Sequence, residues 1–405
     1  MSTWPGEDFE ELAGDIAGAA AVLLRHPAWR HRRVETLTVL SHEQVRRHVS
    51  VDFTVPHEHH EELRLSAEEF VVPLAWLVKR PLVHFDLRNE EGHSIPLLTA
   101  EQNAAIDREL LYAILDEDLV TQEATGTTEV LLAAAPLVEA VVGTGAEPGD
   151  VERLEREHGL EPLIEFRSMV ETLSRSFVLW AVVRGLDRRR VFKFAYDEPY
   201  AQQPGLDYVY AAPGCFEAWS YHAEVAVPVD LKARTTRLWD AATGEVLASG
   251  ARDADRPVLY VSVDPERRLE RPQVVVDYAA ERGRFLAPAA IVATVITLLV
   301  ALPWVFADLE ALAESSGPAI GLVLSTSAVF SALVLRTDEH PLLRRLLVGY
   351  RLCLVACTLA ALFAAAALGF QAESWIIEVT WALAAVVSAA TAGILVRAVL
   401  RSPSS

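Results

Sequence analysis

The chain has 405 residues, a formal charge of −20 and 52% hydrophobic residues, with only 3 cysteines. A disulfide framework is excluded in its soluble part, and a nucleic-acid partner is disfavoured because 56 acidic side chains oppose 36 basic ones. Residues 285–405 carry six basic and seven acidic side chains, so −19 of the charge falls to residues 1–284.

The N-terminus opens acidic, with Glu7, Asp8, Glu10 and Glu11, and its apolar stretch Ala19 to Leu24 is short. A secretory signal needs a basic start and a longer apolar core, so residues 1–280 are expected to stay in the cytoplasm. Alternation then marks strands. Val49, Val51, Phe53 and Val55 point one way and Ser50, Asp52 and Thr54 the other. Further strands are expected at residues 33–40, 70–78, 82–87, 177–183, 191–196, 221–227, 231–239, 259–263 and 273–278. No βαβ rhythm appears, which predicts an antiparallel sheet or sandwich.

His57, Glu58, His59, His60 and Glu61 are the densest set of metal-ligand types, and His57, His59 and His60 are the candidate ligands. The H-E-x-x-H spacing fails, because position 61 is Glu, and a solvated loop accounts for the segment better. No metal and no cofactor are therefore expected. Val78 to Arg88 concentrates basic residues beside an apolar strand; it reads as a turn at Arg80-Pro81 in preference to a surface for phospholipid headgroups or an acidic partner.

A helical block is predicted over 99–175. Thr99 and Gln102 have capping-box spacing, and Ile106, Leu110, Ala113 and Ile114 form an apolar stripe. The glycine loop at 143–149 lacks the Gly-Lys-Ser/Thr ending of a phosphate loop and reads as a connector. Cys215, the lone cysteine before residue 285, follows Pro213-Gly214 and reads as a small buried hydrophobe. No G-x-S-x-G elbow, kinase signature or paired-cysteine zinc pattern occurs.

From 285 onward four apolar runs, at 285–306, 318–335, 346–370 and 375–396, approach the ~20 residues of a bilayer span. The expected fold is thus an α+β soluble head (β-rich 30–98 and 176–280, helical 99–175), 1–284 in all, followed by a four-helix transmembrane bundle over 285–400. Arg282, Arg284, Arg336, Arg344, Arg345, Arg397 and Arg401 flank the runs on one side, and Asp308, Glu310, Glu314 and Glu373 on the other. The basic flanks predict a multi-pass cell-membrane protein with cytoplasmic N- and C-termini.

Small residues recur every four positions: Cys357, Ala361, Ala365 and Gly369 in the third run, Ala385, Ala389 and Gly393 in the fourth. They predict close helix packing, within the chain or between copies. Arg344 and Arg345 are candidates for coupling the helices to the acidic head, alongside their reading as a topology signal.

The stretches Leu77 to Arg88, Leu97 to Asn103 and Asp338 to Leu347 resemble segments of uncharacterised actinobacterial multi-pass membrane proteins. The resemblance implies a soluble N-terminal head on membrane helices, with no activity and no site residues. The expected function is a non-enzymatic integral membrane protein whose cytoplasmic head binds a protein or small ligand, with membrane lipid and a second copy as further partners. Two alternatives stay open: a membrane-anchored enzyme using residues such as His84, Asp86 or Cys215, and an oligomeric pore.

Overall fold

The computed structural model describes residues 6–41, 44–124, 126–143, 148–199, 201–202, 207–262, 271–306, 340–370 and 372–402. The first element is helix α1 (Gly6–Arg25). Phe9, Ala13, Ile16, Ala20 and Leu23 recur at helical spacing along it and are buried. The short apolar stretch near the N-terminus is the end of this helix, which packs on α2 (Ala100–Thr121). Thr99 caps α2 by accepting the Gln102 amide, and Gln102 returns the bond to the Thr99 amide. Helices α3 (Thr127–Gly143), α4 (Pro148–His158) and α5 (Ile164–Arg175) complete the helical layer.

A six-stranded sheet is built from β1 (Arg30–Val39), β2 (Gln44–Phe53), β4 (Val83–Arg88), β6 (Arg190–Pro199), β9 (Ser220–Ala226) and β12 (Val258–Ser262), in the order β12-β9-β1-β2-β6-β4. A five-stranded sheet has the order β11-β10-β13-β8-β7, from β7 (Ala201–Gln202), β8 (Asp207–Ala211), β10 (Leu231–Asp240), β11 (Val246–Ser249) and β13 (Pro272–Ala280). A separate ribbon pairs β3 (Glu69–Val78) with β5 (Ser176–Arg184).

The larger sheet is mixed, which corrects the expectation of an antiparallel one. β1 and β9 run parallel, from Arg32 opposite Ser220 to Thr38 opposite Ala226. No hairpin joins them, so nothing local dictates their relative direction, and an alternating pattern looks the same in either.

The inward stripe of the mixed sheet has three zones. On β2, Val45 faces one apolar core, Val49, Val51 and Phe53 face another, and Arg47 lies between them. On β1, Arg33 and Glu35 likewise precede Leu37 and Val39. The first core gathers α1 to α5, the β3–β5 ribbon and the ends of β2 and β6. The second fills the space between the two larger sheets and continues without a break into the C-terminal helices.

Those helices are α6 (Ala287–Phe306), α7 (Pro341–Gly369) and α8 (Ser374–Arg401). Among the described residues, two helices, α7 and α8, are long and apolar enough to cross a membrane. This corrects the expected four-helix transmembrane bundle. The apolar part of α6, Ala287–Leu302, is shorter than a span needs, and its Ala289, Ala293, Ile296 and Val300 are buried on one face. The expected run at 318–335 lies outside the described residues, as do most of its flanking loops.

α8 lies between α6 and α7 and packs on both. Trp381 Nε1 donates to the Ala364 carbonyl at 3.1 Å, and Thr391 Oγ1 to the Cys353 carbonyl at 3.2 Å. Leu352, Phe363, Val379, Leu383 and Val386 stand exposed on the outer faces of the pair. An apolar surface of that kind matches lipid rather than water. The head seats directly on the helices. His340 Nε2 lies 3.2 Å from the Val39 carbonyl, and Arg282 Nε donates to the Val399 carbonyl at 2.8 Å.

Candidate functional site

Among the described residues no group of three or more His, Cys, Asp or Glu could hold a metal ion. His57 and His59 lie in a one-turn helix. The His57 ring packs on His60 at 4.8 Å, and His60 is buried with Nε2 3.2 Å from the Val55 carbonyl. His59 Nδ1 lies 3.2 Å from Glu62.

His84 and Asp86 share β4 but take different partners, and Cys215 lies in the core. Asp86 pairs with Arg88 at 2.7 Å on the surface. Cys215 is fully buried, and burial with Glu35 nearby pushes its thiol up to about 12, which leaves no thiolate at neutral pH. His84 is exposed, with φ of 52°, and its Nδ1 lies 2.7 Å from Asp197. Burial alone would raise the Asp197 carboxyl, yet hydrogen bonds from Arg46 and His84 hold it below the usual range.

On the helices, Cys357, Ala361, Ala365 and Ala385 are buried, whereas Gly369, Ala389 and Gly393 are exposed. Arg344 and Arg345 occupy the first turn of α7, both exposed. Burial raises the Tyr208 hydroxyl of the head, and the charge of Arg345 opposes that rise.

Between the two cores runs a chain of alternating charges that the strand pattern conceals. Arg80 donates to Glu198; Arg47 donates to Glu198 at 2.6 Å and to Glu35; Arg33 donates to Glu35 at 2.7 Å and to Glu217 at 2.5 Å. Tyr221 adds a third donor to Glu35 at 3.0 Å, and the Trp76 amide adds one to Glu217 at 3.3 Å. Burial would raise the Glu35 carboxyl, but Arg47 and Arg33 hold it low. Arg30, stacked on Trp29 and donating to the Pro73 carbonyl at 2.6 Å, is drawn down to about 10 by burial. Every carboxylate here has at least two donors, so the chain is electrically closed and structural in its chemistry.

Among the described residues, two openings carry polar groups. The larger is a cleft of ≈ 520 Å³ between the loop after β4 and the connection from β5 to β6. One wall is the turn Asn89 to His93, fixed by Asn89 Oδ1 accepting the His93 amide at 2.8 Å and by Gly92 at φ of 84°. The other wall brings Arg184, Arg188 and Arg190 to the same space, over Ile95, Pro96 and Phe192. Sequence reasoning passed over this site. Its signal was Arg188-Arg189-Arg190, the sole run of three consecutive basic residues in an acidic chain. Alternation splits the run, so that Arg188 and Arg190 turn to Glu90 while Arg189 pairs with Asp52.

The smaller opening, ≈ 280 Å³, is a shallow groove on the outer face of the mixed sheet. His48, Ser50, Lys193 and Arg88 line it, and Lys193 has no ion-pair partner among the described residues. No protein-family model matches this sequence, and no curated protein matches it.

Proposed function

We propose that the protein is a membrane-anchored, non-enzymatic binding protein, with α7 and α8 crossing the bilayer as a hairpin and the head binding a small ligand or a protein partner. The observation that carries this reading is the single core shared by the head and the helices, beneath a head that keeps an open cleft. A head seated this closely is held at the lipid surface. Arg344 and Arg345 at the start of α7, and Arg397 and Arg401 at the end of α8, support a cytoplasmic position for both ends of the hairpin. Glu373 and Trp375 at its turn then face outward. The exposed Ala389 and Gly393 leave room for a second copy.

The test is crosslinking and pull-down from native membranes with the full chain. Recovery of a specific partner or small ligand is expected, and a head that retains nothing sinks the reading. Charge reversal at Arg344 and Arg345 tests the seating: protease attack on the head should quicken, and unchanged attack removes these two residues from the coupling.

A second reading, a membrane-anchored enzyme, rests on His84. Its left-handed backbone and its bond to buried Asp197 resemble the way a general base is oriented. Metabolite screening decides. Turnover lost in His84→Ala supports the enzyme, and the absence of turnover across the panel leaves the binding protein.

A further inference from the structure

The end of the α7–α8 hairpin nearest the head reverses the charge of the head itself. Arg344, Arg345, Arg351, Arg397 and Arg401 lie in that half of the two helices, while the hairpin's acidic side chains, Glu373 and Glu378, are both at the distant turn. Arg344, Arg397 and Arg401 are exposed and have no ion-pair partner among the described residues. Arginines on the head, such as Arg46, Arg80 and Arg189, are paired with carboxylates. Two bonds between the helices fix how the three unpaired ones sit. Thr391 meets Cys353 and Trp381 meets Ala364, and this antiparallel pairing, continued towards the head, sets Arg401 about level with Arg344 and Arg397 about one turn deeper. Arg282 secures that end of α8 by donating to the Val399 and Ser402 carbonyls, at 2.8 Å and 3.4 Å.

Each of these arginines heads a strip of exposed apolar side chains. On α7, Val348, Leu352 and Val355 follow Arg344 at helical spacing; on α8, Leu383, Val386 and Ala390 lead up to Arg397 and Arg401. From Arg344 to Val355, and from Val386 to Arg397, the helix rises about 16 Å, close to the ~15 Å that one leaflet contributes to a ~30 Å hydrocarbon core. An apolar strip of leaflet depth that ends on an unpaired guanidinium offers both halves of a phospholipid contact. The strip takes an acyl chain, and the guanidinium donates to the phosphate. Charge selects among lipids, because a zwitterionic lipid brings its own ammonium into a cluster of cations and an anionic lipid does not.

We infer that the hairpin binds anionic glycerophospholipids of the leaflet adjoining the head, with phosphates on Arg344 of α7 and on Arg397 and Arg401 of α8, and acyl chains along the strip below each. The inference rests on the reading of α7 and α8 as crossing the bilayer, and names the lipid they meet. The acidic head is itself repelled by an anionic leaflet, so the attraction is confined to this end of the hairpin.

Native mass spectrometry of the full chain released from nanodiscs of equal phosphatidylglycerol and phosphatidylcholine tests this. Phosphatidylglycerol should stay bound in preference by about ten-fold or more, and Arg344→Gln, Arg397→Gln and Arg401→Gln combined should bring the ratio close to unity. Lysine at the same three positions keeps the charge and the direction of insertion, and should keep most of the preference. Glycerol 3-phosphate, which has no acyl chains, should displace no lipid. Equal retention of the two lipids by the parent chain, an unchanged preference in the glutamine variant, equal losses in the glutamine and lysine variants, or displacement by glycerol 3-phosphate would each overturn the assignment. The first comparison uses the parent chain alone, so it decides even where a variant fails to insert. Release of the chain from native membranes by alkaline carbonate would instead remove the reading that these helices cross the bilayer.

Discussion

Gly214 lies against the face of Arg33 so closely that a Cβ at position 214 would overlap the guanidinium carbon. Backbone freedom is not the reason for glycine here. The reason is space, because Arg33 is pinned between Glu35 and Glu217 and cannot retreat.

Gly214→Ala should therefore destabilise the head by about 2–4 kcal/mol, through overpacking and displacement of a paired buried charge. Thermal unfolding of the full chain in detergent checks it. An unchanged midpoint would mean that Arg33 has room to move.

Within the ionic chain the members should rank by what each leaves behind. Glu35→Gln strips a charge from between Arg33 and Arg47 and should cost about 3–5 kcal/mol. Tyr221→Phe removes one donor from a carboxylate that keeps two others, and should cost about 1–2 kcal/mol. Denaturant titration of both variants measures the order, and equal losses would refute it.

Asp107 gives a pH signature. It is buried in α2, accepts from Trp180 Nε1 at 3.4 Å, and burial pushes its carboxyl up to about 7. Between about pH 4 and pH 7 the folded chain holds this proton while the unfolded chain releases it. The group thus lowers stability as pH rises through that window, with no further change above it. Asp107→Asn removes the penalty and should gain about 2–4 kcal/mol at pH 8, with little gain at pH 4. Denaturant midpoints at the two pH values decide, and a gain independent of pH would exclude titration of this group.

Helix packing separates two small residues. Ala364 is buried and its carbonyl takes the Trp381 indole, so Ala364→Leu should cost about 1–3 kcal/mol. Gly393 meets nothing within 4 Å, so Gly393→Ala should be neutral or stabilise by up to about 1 kcal/mol. Melting curves in detergent compare them. The reverse order would place the seam on the other face of α8.

Several elements were open to reading because their patterns are local. β2 and β9 alternate cleanly, and Thr99 and Gln102 announce the start of α2. Others were not. β8 and β11 are too short to show a period, and α1 hides behind an acidic start. The inward positions of Arg33, Glu35 and Arg47 look outward in sequence, since charge normally marks the solvent face and their partners come from distant segments.

The small-residue stripe of α8 leaves the contact face within the chain for a geometric reason. A step of four residues overshoots a turn by about 40°, so Ala385, Ala389 and Gly393 spiral off the contact face. The buried line on α8 instead mixes threes and fours, through Ile377, Trp381, Ala384, Ser388, Thr391, Leu395 and Ala398. The cleft was invisible because its walls come from two connections about a hundred residues apart.

The parallel pairing of β1 with β9 has a bearing on biosynthesis. The first strand of the sheet waits for a neighbour nearly two hundred residues later, and Glu35 waits for Tyr221. Arg33 and Arg47 wait as well for Glu217 and Glu198, so that Glu35 alone faces both of them at first. By the time residue 226 has left the ribosome, the apolar helices are close behind in the exit path. Closure of the head and delivery of the chain to the bilayer therefore overlap in time, and a nascent chain stalled before β9 would present an open, charged seam to chaperones instead of a finished domain.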